Sequence, residues 1–356
     1  MLRRNGAGLW GAPLTWLIYG ALEVSWAYSV LHYIYIRAFI LENFAHVISL
    51  IGVFSCLFML LGSKLKSLRL RMLWDVIGFS ASITFFFKGF IQGEIISSVL
   101  YVSFISFCLG WGLPSVLSEV MQVTDFENRG KVSGLLCMLA FSFVFAFIVV
   151  GSLLFVVMIK AFALTMYFFK KGFEKQIKRD GYLMVSKKVT CSLFLLWLLF
   201  SLVDNLASMN LILLLDEFEV LILRLFVILI GLPSLFISGL LFDLYGRRLF
   251  ILTAFFLLGV EYALISLELS FIMLYPILDG ISWGFLTVFF TLTVWSDISP
   301  PERRELYYVL GLSPPFIVSA FSRLYGIAGL HIEFWQLFPL VSLFLFMAAL
   351  AMFFIP

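Results

Sequence analysis

The chain has 356 residues, of which 63% are hydrophobic and only 13% are charged. Soluble domains are about 45–50% apolar and about 25% charged, so this composition excludes a soluble globular protein and makes lipid the solvent for most side chains. The formal net charge of +3 at pH 7 is small, and the basic residues are distributed over short loops, which argues against binding to nucleic acid.

Twelve apolar segments follow one another along the chain, and each approaches the roughly 20 residues that a membrane-spanning helix needs. In the first half the predicted spans are 14–36, 43–61, 70–88, 95–117, 132–150 and 152–169. In the second half they are 189–213, 220–241, 249–267, 270–294, 307–328 and 335–355. Gly110 and Pro114 predict a bend in the fourth span. Only Gly151-Ser152 separates the fifth span from the sixth, so one long tilted helix there would leave eleven spans.

The distribution of lysine and arginine predicts the orientation, because cytoplasmic loops are rich in these residues. With the N-terminus inside, most of the basic residues lie on the cytoplasmic side, including the pairs Arg247-Arg248 and Arg303-Arg304. Eleven spans would place both pairs outside, so twelve spans are favoured. We therefore expect an integral protein of the cell (plasma) membrane with both termini in the cytoplasm.

The longest polar interruption lies near the middle of the chain, from Lys170 to Lys188. It predicts a cytoplasmic linker, 170–188, between an N-terminal six-helix bundle, 1–169, and a C-terminal six-helix bundle, 189–356. The basic residues of the linker could also contact the anionic inner leaflet, although topology alone explains them. The predicted fold class is an all-α polytopic membrane protein with about twelve spans in two bundles.

The sequence lacks the patterns of metal sites and of common hydrolytic enzymes. Its four cysteines lie in apolar stretches without CxxC or Cys/His spacing, so we interpret them as small apolar side chains and expect no metal or cofactor. It contains no HExxH, GxSxG or DxD motif, which argues against the alternative of a membrane enzyme that acts on lipid-linked substrates. We therefore do not expect an enzyme.

A similar charged pattern follows the fourth and the tenth predicted spans. Glu119 and Arg129 occupy the first copy, and Asp297 and Arg303 occupy equivalent places in the second. In each copy an acidic residue ends one span and a basic residue begins the next, which is the opposite of what helix dipoles favour. We interpret these four residues as a secondary charge network at the cytoplasmic surface.

A sharper motif joins the eighth and ninth predicted spans, where the chain reads Gly239-Leu-Leu-Phe-Asp243-Leu-Tyr-Gly246-Arg247-Arg248. This segment resembles the signature loop of the major facilitator superfamily, G-x-x-x-D-x-x-G-R-R/K, at all five key positions. The glycines permit close helix packing and a tight turn, and the charges can bond to a neighbouring helix end. The resemblance implies two six-helix bundles around a central cavity, with this loop as a cytoplasmic gate that holds the bundles together.

The equivalent loop between the second and third spans matches the signature poorly. It reads Gly62-Ser-Lys-Leu-Lys66-Ser-Leu-Arg69-Leu-Arg71, with Lys66 where the family has an acid and Arg69 where it has a second glycine. This departure is the main support for an alternative function, that of a transporter-like protein which no longer transports and acts as a sensor or assembly partner.

Three acidic residues are expected deep in the membrane, where an ionisable side chain costs about 2.5–3.5 kcal/mol on insertion scales. Glu23, Asp204 and Asp279 lie on the first, seventh and tenth spans, and the resemblance implies that these helices, with the fourth, line the central cavity. A carboxylate exposed first to one side and then to the other can carry a proton across the membrane. We predict that these acids couple transport to protons; the alternative is structural pairing.

Four further ionisable residues within the predicted spans are candidates for substrate binding or structural pairing. Arg224 and Arg323, towards the outer ends of the eighth and eleventh spans, could bind an anionic substrate, or their side chains could extend to the outer headgroups. Lys160 and Glu261 lie on the sixth and ninth spans, which the resemblance makes peripheral, and we assign them to structural pairing.

The predicted function is secondary active transport of a small solute by alternating access, coupled to protons. The alternatives are a uniporter or organic anion exchanger, and the non-transporting sensor or assembly protein. Aromatic residues such as Trp26, Tyr28 and Trp283 would suit an apolar or cationic organic solute. The expected partners are this solute, protons and the lipid bilayer, and the chain is expected to be a monomer.

Overall fold

The fold is built from α-helices. In a computed structural model, the structure describes residues 14–40, 45–64, 68–88, 95–170, 182–212, 215–327 and 334–353, and within these ranges no strand occurs. The helices are α1 (Leu14–Ile40), α2 (Ala45–Lys64), α3 (Leu68–Lys88), α4 (Ile95–Gly110), α5 (Leu113–Gln122), α6 (Arg129–Val150), α7 (Leu153–Lys170), α8 (Lys187–Ile212), α9 (Glu217–Tyr245), α10 (Arg247–Leu267), α11 (Tyr275–Thr287), α12 (Val294–Ile298), α13 (Arg304–Ile327) and α14 (Phe334–Phe353). Helices satisfy every internal backbone hydrogen bond, which lipid requires of a spanning segment.

The twelve predicted spans are confirmed, with bounds that differ by a few residues. Ten of them are single helices. The fourth consists of α4 and α5, and the tenth consists of α11, a π-helical segment at Val288–Thr293, and α12. The chain is therefore an all-α polytopic membrane protein, as its composition predicts.

The junction between α6 and α7 decides between twelve spans and eleven. α6 ends at Val150, and Gly151 follows with a φ of +65°, in the left-handed region. The N–H of Gly151 donates to the carbonyl of Phe147 at 2.8 Å and closes the last helical turn. Glycine adopts this conformation without a steric penalty, so the break predicted at Gly151-Ser152 is confirmed.

The bend predicted in the fourth span is also present, between Gly110 and Leu113. Pro114 lies in the first turn of α5, where its missing N–H leaves no hydrogen bond unmade. Gly112 faces the indole of Trp74 so closely that a Cβ would lie 2.3 Å from that ring. The Nε1 of Trp74 donates to the carbonyl of Cys108 at 3.0 Å, so α3 packs directly against the bend.

The most extensive contacts between the first six spans and the last six are those of α6 with α9 and of α2 with α13. In the first pair, a Cβ on Gly239 would lie 2.2 Å from the carbonyl oxygen of Gly130, so the two backbones touch. In the second pair, the hydroxyl of Ser49 donates to the carbonyl of Ala320 at 3.0 Å, and Gly52 faces the carbonyl of Phe316. Small residues bring helices close together in this way in membranes.

Gly239→Ala is expected to weaken the pairing of α6 with α9, because its methyl group has no space beside the carbonyl of Gly130. Overpacking of this kind costs about 1–3 kcal/mol, so the melting temperature of the purified protein should fall. Gly231→Ala on the same helix is the matched control, since a Cβ there would lie 3.6 Å from its nearest neighbour, the carbonyl oxygen of Gly280. Equal melting temperatures of the two variants would contradict the close approach.

The loop that contains Asp243 lies at the same end of the bundle as the start of α6, because Asp243 bonds to the backbone there. Arg129 and Asp297 contact each other at this end as well. We call it the basic end, and the distribution of lysine and arginine predicts that it faces the cytoplasm. The other end of the helices is called the opposite end.

Candidate functional site

A central cavity of about 420 Å³ lies between the first six spans and the last six. Its walls come from α1, α6, α8, α9, α11, the π-helical segment and α13. The lining residues are Tyr28, Phe141, Val144, Phe145, Ile148, Trp197, Val227, Ile228, Gly231, Leu232, Leu235, Gly280, Trp283, Gly284, Thr287, Thr291 and Pro315. None of these described lining residues is Asp, Glu, Lys or Arg. The cavity is therefore mainly apolar and aromatic, with hydroxyl groups as its polar side-chain groups.

The helices around the cavity differ in part from those that the resemblance implied. α1, α8 and α11 contribute walls as expected, but no described residue of α4 or α5 lines the cavity. α6 takes that place opposite α9, the eighth span, which the resemblance also assigns to the cavity. The glycines that bring α6 and α9 together near the basic end let them diverge towards the opposite end, with Val144 and Val227 in the walls.

One side of the cavity is a rigid aromatic platform. The ring of Trp197 stacks on that of Phe290 with centroids 5.0 Å apart and an interplanar angle of 3°, and it meets Trp283 edge-on at 6.2 Å. Its Nε1 donates to the carbonyl of Gly311 at 3.0 Å, which fixes the orientation of the indole. Such a platform presents a flat π surface for an organic molecule.

Glu23 does not line this cavity. It belongs to a buried group on α1, α3 and α7, which we call the Lys160 cluster and which consists of Glu23, Asp75 and Lys160. The Nζ of Lys160 lies 2.5 Å from Oε2 of Glu23 and 2.9 Å from Oδ1 of Asp75, and all three side chains are fully buried. The structural pairing expected for Lys160 is thus present, and a role of Glu23 in proton coupling stays a prediction.

Aromatic side chains enclose the Lys160 cluster. The ammonium lies 4.4 Å from the ring centroid of Trp26 and 4.1 Å from that of Trp74, within the range of cation–π attraction. The hydroxyl of Tyr19 donates to Oδ2 of Asp75 at 3.0 Å. Gly78 makes room for the lysine, since a Cβ there would lie 2.8 Å from its Cε. Asp75 was missed as a site residue, although an ionisable residue inside the predicted third span carried the same signal as Glu23.

The other two predicted acids, Asp204 and Asp279, come together with Glu261, and we call these three residues the three-acid cluster. Their side chains are 6%, 4% and 1% exposed, respectively. The hydroxyl of Tyr262 donates to Oδ1 of Asp204 at 3.2 Å. The structural partner expected for Glu261 is not found among the described residues, because neither of its carboxyl oxygens has a hydrogen-bond partner there.

At the basic end, Asp243 caps a helix of the other bundle. Its Oδ1 accepts the backbone N–H of Gly130 at 2.9 Å, and its Oδ2 accepts that of Lys131 at 2.8 Å. Both donors belong to the first turn of α6, where free N–H groups and the helix dipole favour a negative charge. Gly246 ends α9 with a φ of +88°, a conformation that explains the glycine in the motif.

Asp297 links both bundles at the same end. It pairs with Arg247, and its Oδ1 lies 3.5 Å from Nη1 of Arg129, which also donates to the carbonyl of Ser296 at 3.0 Å. Both guanidinium groups lie over the ring of Phe126, at 5.1 and 5.3 Å from its centroid. We call Arg129, Asp243, Arg247 and Asp297 the interbundle ion cluster. Residues from the signature loop and from both copies of the charged pattern thus meet in one place.

The remaining predicted residues of this end lie outside the interbundle ion cluster. Glu119 pairs with Arg71, so the poorly matching loop is tied to α5 within its own half. Arg303 is exposed in the turn before α13, and Arg248 is exposed at the start of α10. Gly239 contributes through packing against α6, as described above.

The two arginines considered for anion binding lie on α9 and α13. Arg224 is exposed one turn beyond Val227 towards the opposite end, and its charge faces His32 on α1. Arg224 does not line the cavity, but it lies close to the cavity wall. Arg323 is part of α13, and its side chain lies outside the described residues.

Comparison with known proteins gives structural likenesses alone. No family model matches the sequence, and no curated protein sequence matches it. The structure is similar to that of the human organic anion transporter MFSD10 (TETRAN), with a TM-score of 0.67 and 13% identity over 95% of this chain and 98% of that one. It is also similar to a bacterial homologue of the iron transporter ferroportin in the outward-facing state, with a TM-score of 0.63 and 14% identity over 96% and 97% of the two chains. At these identities the likeness shows the fold, so the chain has a major-facilitator-like fold, as its Asp243 loop predicts.

Proposed function

We propose that this chain is a secondary active transporter that moves a small organic solute by alternating access. The observation that carries the proposal is the central cavity, which lies between two bundles that meet at the basic end through a few charged side chains and the Gly130–Gly239 contact. Rocking of the bundles would open the cavity to one side and then to the other. Under this proposal the basic end faces the cytoplasm, the chain works as a monomer in the cell membrane, and 1–169 and 189–356 are the moving units.

The interbundle ion cluster suits a gate because its bonds are strong but few. Charge-assisted hydrogen bonds and ion pairs of low exposure gain more than neutral ones, and they can be exchanged for water when the end opens. Arg247 is 17% exposed, so water already reaches one member of the group. Breaking the cluster and separating Gly239 from Gly130 would open a path from the basic end to the cavity.

The lining of the cavity favours a solute with a substantial apolar or aromatic body. Trp197, Trp283 and Phe141 offer π surfaces, whereas Thr287 and Tyr28 offer hydroxyl groups. A volume of about 420 Å³ is in the range of sites for small molecules, which are about 300–1,000 Å³. A cationic group on the solute would be attracted to the ring faces.

An organic anion exchanger is the second candidate, and the position of Arg224 favours it. This arginine lies close to the cavity wall beside His32, where it could attract a negative group of a solute. The similar human protein is itself an organic anion transporter. Uptake of an organic anion that falls on Arg224→Gln but not on Arg303→Gln would favour this candidate over the cationic or neutral solute.

Gly231→Leu is expected to abolish transport without unfolding the protein, because the new side chain would project into the cavity. Purified wild type is first screened by thermal shift against a panel of organic cations, anions and neutral aromatic compounds, since a ligand that binds the folded state raises the melting temperature. Uptake of the best compound is then measured in proteoliposomes with and without a pH gradient.

Equal uptake by Gly231→Leu and Gly231→Ala would contradict the assignment of the cavity. Uptake by wild type that does not change with the pH gradient would remove proton coupling. A wild type that moves no compound in the panel would favour the sensor or assembly alternative.

A further inference from the structure

Three buried acidic side chains from three helices lie near one another, beside one wall of the central cavity. Asp204 comes from α8, Glu261 from α10 and Asp279 from α11, and each is at least nine-tenths buried. The carboxyl group of Glu261 lies within electrostatic reach of those of both aspartates. Trp283, which lines the cavity, lies beside Asp204, and Asp279 directly precedes the cavity residue Gly280.

Several carboxyl oxygens of this group lack a hydrogen-bond partner among the described residues. Both oxygens of Glu261 and the Oδ1 of Asp279 have no hydrogen-bond partner among the described residues. Buried polar groups in native proteins nearly always have a partner, and leaving one without costs about 1–3 kcal/mol, more for a charged group. The side chain of Glu261 is therefore directed into a site where something else must supply positive charge or a donor.

No basic side chain in the described ranges supplies that charge. The groups that face Glu261 and its neighbours are the phenols of Tyr262 and Tyr275, from α10 and α11. α14 packs against α10 with Phe338 on the ring of Tyr262, and the segment Phe334–Phe353 contains no ionisable residue. In the Lys160 cluster, by contrast, one ammonium group pairs with two carboxylates.

We propose that Asp204, Glu261 and Asp279 form one proton-sharing site, with Glu261 as the member that sequence position alone does not reveal. Three carboxylates in a buried space without a cation cannot all be ionised, so the site holds protons taken from water and returns them to water when it opens. A metal ion is disfavoured, since no three His, Cys, Asp or Glu side chains of the described residues have metal-ligating geometry. This inference rests on the proposed transport function and names the coupling site within it.

Trp283 connects this site to the cavity. Its indole forms part of the cavity wall and lies beside Asp204, which does not itself line the cavity. A solute that moves this ring would change the surroundings of Asp204, and a change in protonation would in turn move the ring. By linkage, such a coupling acts equally in both directions.

The first test is infrared difference spectroscopy of the full-length protein in lipid, titrated with pH in the presence of a chelator. The carbonyl stretch of protonated carboxyl groups is expected in wild type and should lose amplitude in Glu261→Gln and in Asp279→Asn. The control is Glu268→Gln, which changes an exposed glutamate just beyond the end of α10 and should leave the band unchanged. An unchanged band in Glu261→Gln would overturn the proposal, and so would removal of the wild-type band by added Na⁺ or by Mn²⁺ in excess of the chelator.

The second test separates this site from the proposed function. In proteoliposomes with an imposed pH gradient, Glu261→Gln is expected to keep downhill movement of the solute but to lose at least tenfold of its gradient-driven accumulation. Accumulation equal to that of wild type would overturn the coupling site while leaving the transporter intact. If wild type itself moves no solute, the proposed function fails, and the infrared band still decides whether the three acids share protons.

Discussion

Lys160→Met is expected to lower the free energy of unfolding by about 3–5 kcal/mol, because it leaves two carboxylates buried without their cation. The ammonium of Lys160 is fully buried and contacts Glu23, Asp75 and the faces of two tryptophan rings. Methionine keeps a similar length and apolar stem, so the change removes mainly the charge. The melting temperature of the purified protein, at pH values well above and well below neutrality, measures the effect.

Two further variants make this prediction specific. Lys187→Met, at an exposed position at the start of α8, should change the melting temperature little. The triple variant Glu23→Gln, Asp75→Asn and Lys160→Met should recover most of the loss, because neutral groups in place of a buried ion pair are often tolerated. A single Lys160→Met variant as stable as wild type would show that the cluster is not held by this cation.

Asp297→Asn is expected to open the basic end, because the aspartate is the acidic partner that the guanidinium groups of Arg129 and Arg247 share. Truncating one side of a buried ion pair costs about 3–5 kcal/mol, enough to shift a two-state equilibrium by more than a hundredfold. Spin labels at Glu127→Cys and Arg248→Cys, both exposed and on opposite bundles, report the separation by pulsed electron paramagnetic resonance. The distance distribution of wild type should be short and that of Asp297→Asn longer.

The control for this prediction is Glu302→Gln, which removes an exposed acid from the neighbouring turn. It should leave the distance distribution as in wild type. If Asp297→Asn also leaves the distribution unchanged while the protein remains folded, the contact between the bundles does not depend on these charges.

The membrane topology was predictable from the sequence because hydropathy and span length are local properties. The break at Gly151 was predictable for the same reason, since a glycine between two apolar runs is a local signal for a left-handed turn. The π-helical segment at Val288–Thr293 was not predictable. It lies inside a largely apolar run, and the packing of the neighbouring Trp295 depends on contact with Gly311 of the following helix, α13, which local sequence does not show.

The positions of the acids were predictable, but their directions were not. Tyr19, Glu23 and Trp26 are spaced by four and three residues, so they share one face of α1. That face packs against α3 and α7, whereas Tyr28 points to the cavity. The spacing of these residues shows that they share one face of α1, but it does not show which helix packs against that face. For this reason Glu23 was expected to line the cavity.

Which charged residues pair across the two bundles was likewise not predictable from the sequence. Arg129 and Asp297 were predicted in two separate copies of a charged pattern, and the structure pairs them with each other. Glu261 was expected to have a structural partner because it lies on a peripheral span, but the charged groups near it are two more acids, Asp204 on α8 and Asp279 on α11. Charge patterns along one chain show where cations and anions are, and only packing decides which of them meet.

Alternating access requires that the central cavity open in turn to the two sides of the membrane. Thr287→Cys, a cavity position, in a protein whose native cysteines Cys56, Cys108, Cys137 and Cys191 are replaced, tests it with a membrane-impermeant thiol reagent in sealed vesicles. We predict labelling from either side, with labelling from the side of the basic end increased by Asp297→Asn. Labelling from one side alone in every variant, or from neither side, would contradict the account.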